Sequence, residues 1–136
     1  LNPADDYVRT FVAHTNPLNV LCGRSLMRTL DNCKRINGSV CLDPGGDSWL
    51  DLAEGNTIKG ARQNGSVLNL QNWAPGQAVE GLERKPTLVD SNIGMRDALQ
   101  IRYQTGNKLV LHDNNHVVGI LGDSELYHAL LGKNLG

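Results

Sequence analysis

The sequence predicts a mixed α+β fold, and three observations carry that prediction. Residues 95–103 set Met95, Ala98, Leu99 and Arg102/Tyr103 three and four apart, which lines one face of a helix. Leu109 to Leu111 and Val117 to Leu121 are apolar runs too brief for three helical turns and bounded by turn formers, so they suit strands. Residues 37–85 hold further short apolar runs cut by glycine and proline, with little helical periodicity.

The C-terminal stretch reads most clearly. Pro86 precedes an extended Thr-Leu-Val-Asp, and Gly106 ends the helix that follows. Asp113-Asn114-Asn115 can supply the left-handed backbone of a tight hairpin between the next two strands. A last helix begins at Asp123, Ser124 and Glu125, where amide donors favour oxygen and negative charge, and it stops at Gly132. The expected order over 86–133 is strand, helix, strand, strand, helix.

Upstream, Asn2 reads as a helix cap, Pro3 as its first turn, and Asp5 and Asp6 as acids at its positive end; Tyr7, Val8, Phe11 and Val12 form its apolar face. Residues 25–33 predict a short helix with Leu26 and Leu30 on one side and Met27 within reach. Strands are expected at 40–42, 49–52 and 67–73. Residues 58–63 are the one helix candidate between them, a short one broken by Gly60. Trp49 and Trp73 are expected as core anchors, each burying a large apolar area.

Composition excludes several functions. The 136 residues carry a formal net charge of −1 with both signs interspersed, so no basic face for nucleic acid or anionic lipid stands out. Aromatics make up only 4 %, too few for a base-stacking platform. No run approaches the roughly twenty apolar residues of a membrane span. Cys22, Cys33 and Cys41 lack paired metal-site spacing and suit reduced thiols of a cytosolic protein, with no metal expected. His112 and His116 read as surface residues flanking the hairpin turn. A phosphate loop, a nucleophile elbow and a zinc-protease helix motif are all missing, so no catalytic residue and no enzyme activity are expected in this chain.

Pro86-Thr-Leu-Val-Asp, Met95-Arg-Asp-Ala-Leu, Lys108-Leu-Val-Leu-His-Asp and Val118-Gly-Ile-Leu-Gly-Asp-Ser-Glu-Leu resemble a CBS repeat, the regulatory module named after cystathionine beta-synthase. Asn2-Pro-Ala-Asp-Asp-Tyr-Val-Arg-Thr-Phe-Val resembles the segment closing the ATPase domain in ATP-binding subunits of glycine betaine, proline and choline type ABC importers, just ahead of their CBS region. The resemblance implies residues 1–36 as a helical linker from a preceding ATPase domain, 37–85 as a degenerate β-rich first CBS-like half, with an unrelated small β-unit packed on the clear repeat as the alternative, and 86–136 as the second repeat of a Bateman-type pair. The chain opens on Leu1 and is expected to be a fragment of that longer subunit.

The same resemblance implies regulation of osmolyte transport through homodimerisation, with the upstream ATPase domain and the transporter permease as further partners. It places the protein in the cytoplasm, peripheral to the inner membrane through the transporter complex. It implies neither nucleic acid nor direct membrane insertion. Met95, Leu99, Leu126 and Leu130 are the implied dimer-interface residues, with a monomer core as the alternative. An adenine nucleotide is the implied effector, no other cofactor being expected, and its cleft would involve Thr87, Gly122, Asp123, Ser124 and Glu125. Here Gly122 stands where the family pattern has a hydroxyl residue, and Glu125 where it has an aspartate. The alternatives are a small-molecule module binding adenine nucleotides or cyclic dinucleotides, and a purely structural dimerisation spacer.

Overall fold

The computed structural model describes residues 21–131. Its C-terminal part runs β8 (Thr87–Asp90), α2 (Met95–Thr105), β9 (Leu109–Asp113), β10 (His116–Leu121) and α3 (Asp123–Leu130). In α2 the buried positions are Met95, Ala98, Ile101 and Thr105, the three-and-four spacing of an amphipathic face. Burying side chains such as Met95 and Ile101 stabilises by roughly 1.5–3 kcal/mol each. Thr105 satisfies its buried hydroxyl by donating to the Ile101 carbonyl at 2.8 Å. Gly106, at φ 65°, closes the helix and donates its N–H to the Arg102 carbonyl. Asn114 and Asn115, at φ 48° and 71°, turn β9 into β10, as the tip residues predicted.

Five strands form the first sheet, in the order β1 (Arg28–Thr29), β10, β9, β8, β7 (Gln71–Asn72). β8 runs parallel to β9, which requires a crossover, and α2 is that crossover. The second sheet is an antiparallel meander of β2 (Arg35–Ile36), β3 (Ser39–Cys41), β4 (Ser48–Leu52), β5 (Ile58–Gln63) and β6 (Ser66–Val67). Asn37-Gly38 and Asn64-Gly65, all at positive φ, make its first and last two-residue turns.

The helices cover one face of the first sheet, and the meander covers the other. Leu109 and Leu111 of β9 join Val89, Leu121, Met95, Ile101 and Leu126 in the helix-side core. Val110, between them, joins Val117, Ile120, Val40, Leu42, Leu50 and Leu52 in the core between the sheets. β10 keeps both cores supplied through an irregularity at Val118, where His112 pairs with Val117 and Leu111 with Gly119. The extra residue shifts the alternation, so Val117 and Ile120 face the same way although three apart.

Several elements differ from the sequence expectation. Of residues 25–33, only the end of α1 (Gly23–Leu26) is α-helical; Met27 turns extended at ψ 153°, Arg28–Thr29 pair with β10, and Leu30–Asn32 make a single 3₁₀ turn. The stretch 21–36 is therefore no helical linker, since it lends a strand to each sheet. Residues 58–63 form a strand, with Ala61 buried opposite Leu50, so pairing with β4 overrode the helix reading. The run 67–73 splits: Val67 ends the meander, while Gln71–Asn72 pair with β8.

The expected unit boundaries move accordingly. A cut at 36/37 would fall in the β2–β3 turn, and Trp73 and Leu82 pack in the helix-side core, so 71–85 belongs with the C-terminal unit. Trp73 is thus a core anchor, but of the helix layer; Trp49 is half-buried on the meander. The expected helix at Asn2–Val12 lies outside the described residues. Among the described residues no helix is long and apolar enough to cross a membrane.

Candidate ligand cleft

A cleft of about 540 Å³ opens where the β2–β3 hairpin faces the start of α3. Its walls come from three places: Arg28 on β1, Lys34 and Cys41 with the Asp43-Pro44 loop on the meander, and Lys108 with Asp123, Ser124 and Glu125 on the C-terminal unit. The loop is held by the Asp43 carboxylate, which accepts hydrogen bonds from the Ser48 amide at 2.7 Å and the Asp47 amide at 3.4 Å. Cys41 donates its thiol to the Asp43 carbonyl at 2.8 Å. Cys33 is partly buried, which pushes its thiol up from the ordinary range.

The acids at the start of α3 are committed inside the protein. Glu125 accepts the Gly122 amide at 2.8 Å and pairs with Arg28 at 3.2 Å. Asp123 receives Arg102 through two nitrogens, at 2.6 and 2.7 Å, which ties the end of α2 to the start of α3. Both carboxylates therefore work as helix-start and inter-element contacts.

Asp123, Ser124 and Glu125 do line one cleft, as the sequence expectation grouped them, whereas Thr87 does not. Thr87 is fully buried; its hydroxyl donates to the Lys85 carbonyl and accepts from the Gln71 amide group, so it braces β7 against β8. Gly122 is buried main chain: a methyl group there would stand 3.0 Å from Lys108 Nζ. Lys34, Lys108 and Arg28 were not singled out by sequence reasoning. Isolated basic residues on three separate elements carry no spacing signal, and only the fold assembles them.

The four dimer-interface candidates divide. Met95 and Leu126 are buried in the monomer core, at 0 % and 3 % exposure, so no partner can reach them; this corrects their assignment. Leu99 is half-buried against that core, and Leu130 is exposed. Tyr103 and Tyr127, 89 % and 64 % exposed, and Leu131 are exposed with Leu130.

A second hollow of about 360 Å³ lies at the start of α2, lined by Trp73, Pro75, Ile93 and the carboxylates of Asp90 and Asp97. Trp73 closes its inner wall and donates its indole N–H to the Gln77 carbonyl at 3.0 Å. Behind it, Arg24 donates to Ser91 and Asp113, each at 2.6 Å, and the buried Ser91 hydroxyl donates to the same carboxylate. Ser91 first, and Arg24 second, hold the Asp113 carboxyl below the usual carboxylate range. This cluster anchors α1 to the ends of β8 and β9. Cys22, next to it, has its thiol lowered chiefly by the Ser25 hydroxyl.

The two histidines flank the β9–β10 turn, as expected. His112 accepts the Asn115 amide at 3.2 Å, and the His116 ring nitrogen meets the Gly55 carbonyl at 2.6 Å, joining the hairpin to the meander. No protein-family model, curated protein or solved structure matches this chain.

Proposed function

We propose that the chain is a non-catalytic regulatory module that acts by self-association, a CBS-like repeat within the ATP-binding subunit of a quaternary-amine ABC importer. The observation that carries this reading is the β8-α2-β9-β10-α3 unit, whose two helices share one sheet face. Their outer side shows Tyr103, Tyr127, Leu130 and Leu131. Exposed tyrosine is enriched at the centres of protein interfaces. A second copy presenting the same face would bury these side chains around a twofold axis.

In place of a second helical repeat, the antiparallel meander covers the other sheet face. The module would therefore present a single helical face, so pairing between copies rather than within one chain is the arrangement that buries it. Osmolyte transport, the ATPase domain and the permease enter this reading through the resemblance of Asn2-Pro-Ala-Asp-Asp-Tyr-Val-Arg-Thr-Phe-Val and of residues 86–133. A regulatory effect follows only if one pairing arrangement is favoured in one condition over another.

Sedimentation velocity of the chain tests the reading directly. The expected result is a concentration-dependent dimer that Tyr127→Asp with Leu130→Asp converts to a folded monomer. The same double substitution, placed in the complete importer, is expected to alter the dependence of ATPase rate on osmolyte conditions. A wild-type chain that stays monomeric across the accessible concentrations, or an importer indifferent to the substitution, removes the proposal.

A further inference from the structure

We infer that residues 74–85 form a strap that opens and closes as one unit over the flank of the helix-side core, latched by the side-chain amides of Gln71 and Gln104. The inference begins from the connection between β7 and β8. These strands are parallel, so the chain must cross back over a sheet face, and it does so with no helix or strand between residues 73 and 86. Leu82, and beside it Val79, pack in the helix-side core, which puts the crossing on the face that α2 also covers. Irregular chain thus fills the place of a crossover helix.

What holds the strap differs from what holds its surroundings. Among the described residues, no backbone group of 74–85 pairs with the backbone of another element. The Gln77 amide donates to the Ala74 carbonyl and the Leu82 amide to the Val79 carbonyl, which closes turns within the strap. Side chains make the ties to the rest. Gln71 of β7 donates to the Glu83 carbonyl at 2.7 Å and accepts the Glu83 amide at 2.9 Å. Gln104, in the last turn of α2, donates to the carbonyls of Glu80 at 3.2 Å and Leu82 at 3.3 Å. The ion pair of Lys85 with Glu83, at 3.0 Å, lies inside the strap and anchors it to nothing.

One side chain carries the apolar part of the closure. Leu82 is 7 % exposed, Val79 and Lys85 are half-buried, and the remaining strap residues are exposed. The glutamine ties fall on residues 80, 82 and 83, around Leu82, so its side chain cannot leave the core while both hold. Once it has left, the ties cannot persist. Opening therefore breaks one buried contact and a few side-chain hydrogen bonds while the sheet ladders and both helices stay formed. Such a step costs much less than unfolding the chain, which makes the open form a populated minor state. Gln104 follows Tyr103, whose ring is 89 % exposed, so the latch stands on the same turn of α2 as the surface proposed for pairing. The strap gives that reading a two-state element on which a condition can act, and it stands without it.

The experiment is native-state hydrogen exchange of the chain, read by NMR in low urea. In the wild type, the amides of Gln77, Leu82 and Glu83 are expected to share one opening equilibrium with weak urea dependence, well above that of Val110 and Ile120. Gln71→Ala and Gln104→Ala are each expected to raise the strap opening about tenfold, the loss of one hydrogen-bonded tie. Trypsin is expected to cut the Arg84–Lys85 bond of the native chain, about tenfold faster in both variants. Val40→Ala, which weakens the core between the sheets, is expected to speed exchange at Val110 and Ile120 and to leave the three strap amides as in wild type. The inference is overturned if the strap amides open with unrelated equilibria, if they exchange only together with Val110 and Ile120, if Val40→Ala speeds them equally, or if the glutamine variants leave them unchanged. The wild-type comparison needs no variant to fold. Sedimentation decides the pairing and exchange decides the strap, so the two can fail separately.

Discussion

Gly119 lies so close to Arg28 that a Cβ on the glycine would stand 2.7 Å from the Arg28 carbonyl oxygen and 2.6 Å from Met27 Sδ. β1 can pair with β10 at this register because residue 119 has no side chain. Gly119→Ala is expected to push β1 away and to cost about 1–3 kcal/mol, the range of overpacking in a well-filled site. Urea unfolding measures the loss, and hydrogen exchange at residues 28 and 29 should locate it. An alanine variant of wild-type stability would mean that β1 does not hold this place.

Leu126 and Leu130 sit one turn apart on α3 yet should behave oppositely. Leu126→Ala opens a cavity in the helix-side core and is expected to cost about 2–5 kcal/mol. Leu130→Ala removes an exposed side chain, with an expected effect on monomer stability within about 0.5 kcal/mol and a clear weakening of self-association. Unfolding and sedimentation on the same two variants check both halves of this expectation.

Trp73 is the heaviest side chain in the helix-side core, and it comes from the segment before β8. Trp73→Ala is expected to destabilise by about 3–5 kcal/mol. Trp73→Phe should recover much of the packing while losing the hydrogen bond to the Gln77 carbonyl. A small effect for the alanine variant in thermal unfolding would detach residues 71–85 from the C-terminal unit.

Asp51 supplies the acid-sensitive contact of the meander. The Arg62 guanidinium, and after it the Ser39 hydroxyl at 2.6 Å, hold its carboxyl below the usual carboxylate range. A depressed carboxyl contributes stability that is present above its unfolded value, near pH 3.9, and is lost as pH falls through the lower folded value. Denaturation of wild type and Asp51→Asn from pH 7 to pH 2.5 should therefore show a constant gap in midpoint that closes only below about pH 4. A gap that closes nearer neutrality would point to another group.

The local elements of the C-terminal unit and the turn chemistry are legible in the residues alone. Apolar spacing marked α2, Gly106 its end, and Asn114-Asn115 the hairpin, because each depends on neighbours a few residues apart. Segments 25–33, 58–63 and 67–73 take their conformation from long-range pairing that no local pattern announces, as Arg28 does with Ile120. The candidate cleft divides in the same way. Asp123, Ser124 and Glu125 are adjacent in sequence and could be grouped from it, whereas Lys34 and Lys108 line one wall each only because two sheets stack through Val110, Ile120 and Val40. A lone lysine has no periodicity, so its role becomes visible when packing sets what lies opposite.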